Sequence, residues 1–195
     1  MEKLFFFDLE TTGTKFWRNG IHQISGAIAI DGEIKERFDF KVKPVINAEI
    51  DPEALLVGNV TEEQIMQHPD MKEIYFKLTQ ILAKYVDKFS KTDKLHLVGY
   101  NNASFDNQFF RAFFTQCSTT EKEKQYGNYF GSWFWSDSID VMVLASNKLK
   151  TERSKMIDFK QKTVAQWLGI EVDETKLHNA QYDIDICIQI YNLVK

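Results

Sequence analysis

Three groups of residues in this 195-residue chain have the types and spacing to do metal-assisted or acid–base chemistry. The first is Asp8-Leu9-Glu10, directly after the apolar run Leu4-Phe5-Phe6-Phe7. Alternation along an extended chain sends Asp8 and Glu10 to the same side. Two carboxylates so placed repel each other unless a cation lies between them. A strand that simply ends in an acidic, solvated loop would account for the same pair. The second group is Asn102-Ala103-Ser104-Phe105-Asp106. It reads as the start of a helix, with Ser104 as its cap and Asp106 in the first turn, where an acid also compensates the helix dipole. The third is His178-Asn179-Ala180-Gln181-Tyr182-Asp183, at the start of the last helix, with Asp185 as a competing acid.

These groups need elements to position them. Residues 3–7 read as a central strand. Residues 21–30 and 33–43 read as a hairpin about Asp31-Gly32, ended by Pro44. The chain then reads as loop to about Asn59, and Thr61-Glu62-Glu63-Gln64 as a capping box. Ile74, Leu78, Ile81, Leu82 and Tyr85 predict a helix from Met71 to Phe89. A strand is expected at 95–100 and a Phe-rich helix at 104–116. Segment 118–135 has no clear periodicity and reads as an insertion, with a fifth strand at Trp133 to Ser136. Helices follow near 139–149, 160–168 and 180–194. Antiparallel strands followed by helix–strand alternation predict an α/β fold built on one mixed sheet.

The net charge of −4 argues against tight, nonspecific binding of duplex, which relies on many phosphate contacts. It does not exclude a nuclease whose acids are neutralised by bound cations. No apolar run approaches the roughly 20 residues that cross a bilayer, so no membrane partner is expected. The apolar start is cut by Asp8 and Glu10, and no small-residue cleavage site follows. Cys117 and Cys187 lack metal-like spacing, which predicts two buried, reduced thiols and a cytoplasmic chain.

Asp8-Leu9-Glu10-Thr11-Thr12-Gly13 resembles the first motif of the DEDDh-type 3′–5′ exonucleases, which include the proofreading subunit of polymerase III, RNase T and oligoribonuclease. Asn102 to Asp106 resembles the second motif. His178 to Asp183 resembles the third, a His and an Asp with four residues between them. Gln23 to Gly32 and Ile50 to Leu55 extend the likeness to a strand and to a loop before the first helix. Together these cover most of the chain.

The resemblance implies a single exonuclease domain over 1–195, with an RNase H-like mixed five-stranded sheet, its first three strands antiparallel and helices on both faces. It implies that Asp8, Glu10, Asp106 and Asp183 hold two divalent ions, Mg²⁺ or Mn²⁺, an assignment that suits hard oxygen donors. His178 is then the general base, since an imidazole titrating near ~6.5 suits that role at neutral pH. Thr11, Thr12, Gly13, Asn102 and Phe105 are the matching substrate-binding positions. The partner implied is the 3′ end of single-stranded DNA or RNA, with a polymerase or a second copy of the chain as a further partner. A module acting mainly by docking on a polymerase is the rival reading. Lys148, Lys150, Arg153, Lys155, Lys160 and Lys162 could steer a phosphate backbone or form a plain solvated loop. The aromatics of Tyr126 to Trp135 could stack bases, though core packing or self-association explains them more simply.

Overall fold

The computed structural model describes residues 1–177 and 179–195. Five strands, β1 (Lys3–Thr11), β2 (Ile21–Ile30), β3 (Glu33–Lys41), β4 (Leu95–Gly99) and β5 (Phe134–Asp140), form one mixed sheet in the order β3-β2-β1-β4-β5. β1–β2 and β2–β3 pair antiparallel, as expected, and β1–β4 and β4–β5 pair in parallel, which makes the expected mixed sheet. The β2–β3 turn has two central residues, Asp31 (φ 48°) and Gly32 (φ 83°). Positive φ at both gives the mirror-image turn whose twist matches the flanking strands.

Eight α-helices surround the sheet among the described residues: α1 (Pro52–Val57), α2 (Glu62–Met66), α3 (Met71–Leu82), α4 (Asp106–Gln116), α5 (Glu121–Gln125), α6 (Val141–Lys148), α7 (Gln161–Trp167) and α8 (Ala180–Val194). The capping box at Thr61 is present in full. Several expected boundaries are corrected. Residues 52–57 form a helix rather than loop, started by Pro52 and by Asp51, which accepts from the Glu53 N–H at 3.0 Å. α3 stops at Leu82, not Phe89. The N–H groups of Lys84 and Tyr85 reach back only three residues, to Ile81 and Leu82. The chain is then tied down by Lys3, which donates to the Tyr85 carbonyl at 2.6 Å. β3 ends at Lys41, two residues early. β5 starts at Phe134 and runs to Asp140, so residues 139 and 140 are strand and not helix. Segment 118–135 contributes α5 and a 3₁₀ turn (Gly127–Ser132), and its Phe130, Trp133 and Phe134 are buried in the core.

The sheet is covered on both faces. Phe5, Phe7 and Leu9 of β1 join Leu78 of α3 and Phe110, Phe113 and Phe114 of α4 on one side. Leu4 and Phe6 pack with Val141 and Ala145 of α6 and with Ile184, Cys187, Ile190 and Tyr191 of α8 on the other. Phe110 is the hub of the first face, with ring centroids 5.9 Å from Phe5, 5.2 Å from Phe7, 5.2 Å from Phe114 and 5.6 Å from Phe134. These contacts fix the start of α4, and hence Asp106, against β1. Phe110→Ala should lower folding stability by about 3–5 kcal/mol, the usual effect of emptying a buried aromatic site. Urea unfolding measures this, and a loss below about 1 kcal/mol would contradict the packing role.

Candidate active site

β1 outruns its parallel neighbour. Pairing with β4 covers only Leu4, Phe5 and Phe6, while β1 continues to Thr11. Asp8 and Glu10 lie on this overhang, within the central strand rather than after it, and continue the face of Leu4 and Phe6. The loop from β4 to α4 enters the space beside them. Gly99 makes that approach possible, since a Cβ there would lie 2.8 Å from the Asn102 Cβ and 3.3 Å from the Phe7 carbonyl oxygen. Asp106 opens α4 and is buried. From the opposite face α8 brings Asp183 in its first turn.

Asp8 keeps part of its surface open to the cleft, but protein replaces most of its hydration shell. Burial is the largest cause holding its carboxyl well above the usual range, followed by the charges of Asp106, Glu10 and Asp183. Glu10 is pushed up to about 7 by burial and then by Asp183, with Lys41 opposing. Asp106 is pushed up to about 7, chiefly by burial, against the lowering effect of hydrogen bonds from its own N–H and from that of Leu9. The four acids therefore share one electrostatic neighbourhood. Among the described residues, no three His, Cys, Asp or Glu side chains already stand at the spacing of a metal centre. Like charges in one cleft disfavour full ionisation, which a bound cation would relieve. Cys187 of α8 is buried below them, and burial, then Asp8, raises its thiol further from reactivity.

A cleft of about 740 Å³ opens at these acids, lined by Asp8 and Asp183 and by Tyr100, Phe159, Lys160 and Lys162. Of the basic segment 148–162, Lys160 and Lys162 reach the cleft. Lys162 also pairs with Glu174 at 2.7 Å, Lys155 pairs with Glu152, and Arg153 stacks over Phe159. Asp185 turns to Arg37 of β3 at 2.6 Å, which separates its role from that of Asp183.

The remaining expected residues fall in different places. His178 lies outside the described residues. Thr12 is fully buried, donating to the Glu49 carbonyl at 2.7 Å and accepting from the Gly20 N–H at 2.9 Å. Thr11 donates to the Gly13 carbonyl at 2.8 Å. A Cβ on Gly13 would lie 2.4 Å from Asn19 Nδ2, so this glycine makes room for Asn19. Asn102 is fully buried beneath the loop that carries Asp106, and its carbonyl accepts from the Asn107 N–H at 2.9 Å. Phe105 packs on Phe109 at 5.1 Å, at the edge of the core. Ser104 does not cap α4, since its hydroxyl turns back to Asn101 at 2.7 Å.

Two positioning residues escaped the sequence reading. Asp140, at the end of β5, accepts from the N–H groups of Asn101 (3.0 Å), Ala103 (3.3 Å) and Met142 (2.9 Å), and so sets the loop before Asp106. Gln161 donates to the Asp183 carbonyl at 2.6 Å. An Asp directly before a helix was the available signal for the first, but nothing in the spacing marks the second.

The raised pKa of Glu10 has a definite sign for stability. Its folded value of about 7 lies above the ordinary value of 4.5 for a solvated glutamate, so folding favours the protonated form. That contribution is whole below about pH 4.5 and is lost as pH rises through about 7. Glu10→Gln lacks the titration. Without divalent metal it should match the wild type near pH 4 and exceed it by about 1–3 kcal/mol at pH 8. Chemical denaturation in EDTA at both pH values checks this, and a pH-independent difference would contradict the burial of a strained carboxylate.

Residues 5–191 match the family model RNase_T, described as an exonuclease. The chain is 24% identical over 187 residues to the DNA polymerase III PolC-type of Mycoplasmopsis pulmonis (strain UAB CTIP), covering 96% of this chain and 11% of the polymerase. E. coli Exonuclease I in complex with a dT13 oligonucleotide superposes with a TM-score of 0.75 at 22% identity, covering 100% of this chain and 41% of that one. The zinc-bound form of the same enzyme with single-stranded DNA gives 0.74 at 20% identity, covering 100% and 40%. The chain thus spans less than half the length of either relative. The resemblance to DEDDh-type 3′–5′ exonucleases carried by the three motifs is borne out, and the chain belongs to the RNase_T exonuclease family.

Proposed function

We propose that the 195 residues act as one exonuclease domain that hydrolyses phosphodiester bonds from the 3′ end of single-stranded DNA or RNA and releases nucleoside 5′-monophosphates. The observation that supports this reading is the electrostatic proximity of Asp8, Glu10, Asp106 and Asp183, two of which, Asp8 and Asp183, line one cleft. Carboxylates held in such a place, with oxygen donors only, fit two hard divalent cations such as Mg²⁺ or Mn²⁺. When bound, such ions activate water and stabilise the leaving 3′ oxygen. Asp8 and Glu10 present their carboxylates from the rigid central strand. Asp106 is oriented by the Leu9 N–H, and Asp183 by the anchoring of α8 through Gln161. His178 accepts the proton of the attacking water. Lys160 and Lys162 draw the phosphate backbone into the cleft. Exonuclease I, solved with oligonucleotides and with zinc, lends support to the substrate and the metal.

The PolC-type relative favours a second role beside catalysis, as a proofreading unit docked on a polymerase. Intact acids argue that such docking would accompany hydrolysis and not replace it.

Asp8→Ala should abolish Mg²⁺-dependent release of mononucleotides from a single-stranded oligomer while keeping the fold. Mg²⁺ should raise the melting temperature of the wild type and leave that of the variant unchanged. A variant that keeps most of the turnover would overturn the assignment. His178→Ala should cut turnover by roughly 10²–10⁴-fold, the usual loss for a general base, with Mn²⁺ affinity retained. Near-normal turnover would remove His178 from the mechanism, and loss of Mn²⁺ binding in calorimetry would recast it as a ligand.

A further inference from the structure

The loop between β1 and β2, residues 12–20, is fixed by its own hydrogen bonds. Buried Asn19 accepts from the Lys15 N–H at 2.9 Å, and donates to the Glu49 carbonyl at 2.8 Å and the Thr12 carbonyl at 3.3 Å. The N–H of Asn19 closes back on the Lys15 carbonyl at 2.7 Å, and the Arg18 guanidinium pairs with Glu49 at 2.6 Å. On this frame stands Trp17, 67% exposed. A chain of ring contacts, partly through the core, ties it to the start of α4, which carries Asp106. Trp17 meets Phe16 edge-on at 5.1 Å, Phe16 meets Phe109 at 6.5 Å, Phe109 meets Phe105 at 5.1 Å, and Phe105 adjoins Asp106. The exposed chain neighbours of the indole are Thr14, Lys15 and Arg18, polar or cationic.

An exposed indole on a hydrogen-bonded loop that leaves the strand carrying Asp8 and Glu10, next in sequence but one to the exposed Lys15, suits a π-faced anion. We propose that Trp17 is a stacking platform for an unpaired base of the bound strand, upstream of the nucleotide being released, and that it selects single-stranded over base-paired 3′ ends. This rests on the exonuclease reading. A paired base has its faces occupied by its own stack, so only an unpaired one can exchange that stack for the indole. A protein partner would call for a broader apolar surface than one ring set among Thr14, Lys15 and Arg18.

The test is binding of a 5′-fluorescein single-stranded oligonucleotide, followed by anisotropy with Ca²⁺ in place of Mg²⁺, by wild type, Trp17→Ala and Trp17→Phe. The probe carries one abasic nucleotide at successive positions from the 3′ end. Trp17→Ala should weaken binding roughly 5- to 100-fold, the usual range for one base–aromatic stack. Trp17→Phe should recover part of this. One abasic position should weaken the wild type and leave Trp17→Ala unaffected, and a blunt duplex should bind both proteins equally. Binding by Trp17→Ala within twofold of the wild type, or an abasic profile identical in the two proteins, would overturn the proposal, and the second result would point to a protein partner for this ring. Mg²⁺-dependent hydrolysis by the wild type is followed alongside. Its absence would sink the exonuclease reading, while the binding comparison judges Trp17 on its own.

Discussion

Carboxylate repulsion at the end of one strand sets the terms for the rest of the structure. Asp8 is surrounded by the charges of Asp106, Glu10 and Asp183 in a place where water cannot screen them well. Left free, side chains on loops would swing apart into solvent. Here they cannot, because each backbone is committed elsewhere. β1 is paired along its whole length to β2, from Lys3–Ile30 to Thr11–Ile21. α4 is held by the Phe110 cluster, and α8 by Ile184 and Ile190 beneath it and by Gln181, which donates to the Phe38 carbonyl at 2.6 Å. Apolar packing on two faces of the sheet therefore offsets electrostatic strain at its edge.

That division of labour explains why Thr12, Asn19 and Asp140 are buried and hydrogen-bonded. Thr12 and Asn19 brace the turn after β1, and Asp140 braces the loop before Asp106. Buried polar groups earn such stability only when satisfied. Their conformations transmit the rigidity of the core to side chains that touch the cleft. The same logic separates Asp183 from Asp185. Two residues apart on α8, they face different surroundings, one the acids and the other Arg37.

Much of this was legible from residue order. Asp31-Gly32 sets the hairpin, and the Asp8/Glu10 alternation places both acids on one face, as found. The three motifs identify the family, though no single one of them would. Other features were hidden for physical reasons. Tyr85 and Val86 continue the apolar pattern of α3 although the chain has left the helix, since they pack there as loop. α1 is only six residues long, too short for periodicity, although Asp51-Pro52 carried its start signal. The polar stretch Asp137-Ser138 concealed the second half of the edge strand expected at Trp133 to Ser136, which runs on to Asp140. The functional reading of Thr12, Gly13 and Asn102 came from motif position. Their burial shows that such positions can act by shaping the loops that carry other groups.

The central claim is that these four acids form one divalent-cation site. Anomalous diffraction at the manganese edge, from crystals of the unmodified chain soaked in Mn²⁺, tests it most directly. The account predicts anomalous density between the carboxylates of Asp8, Glu10, Asp106 and Asp183. Well-ordered crystals that bind Mn²⁺ only elsewhere would contradict it.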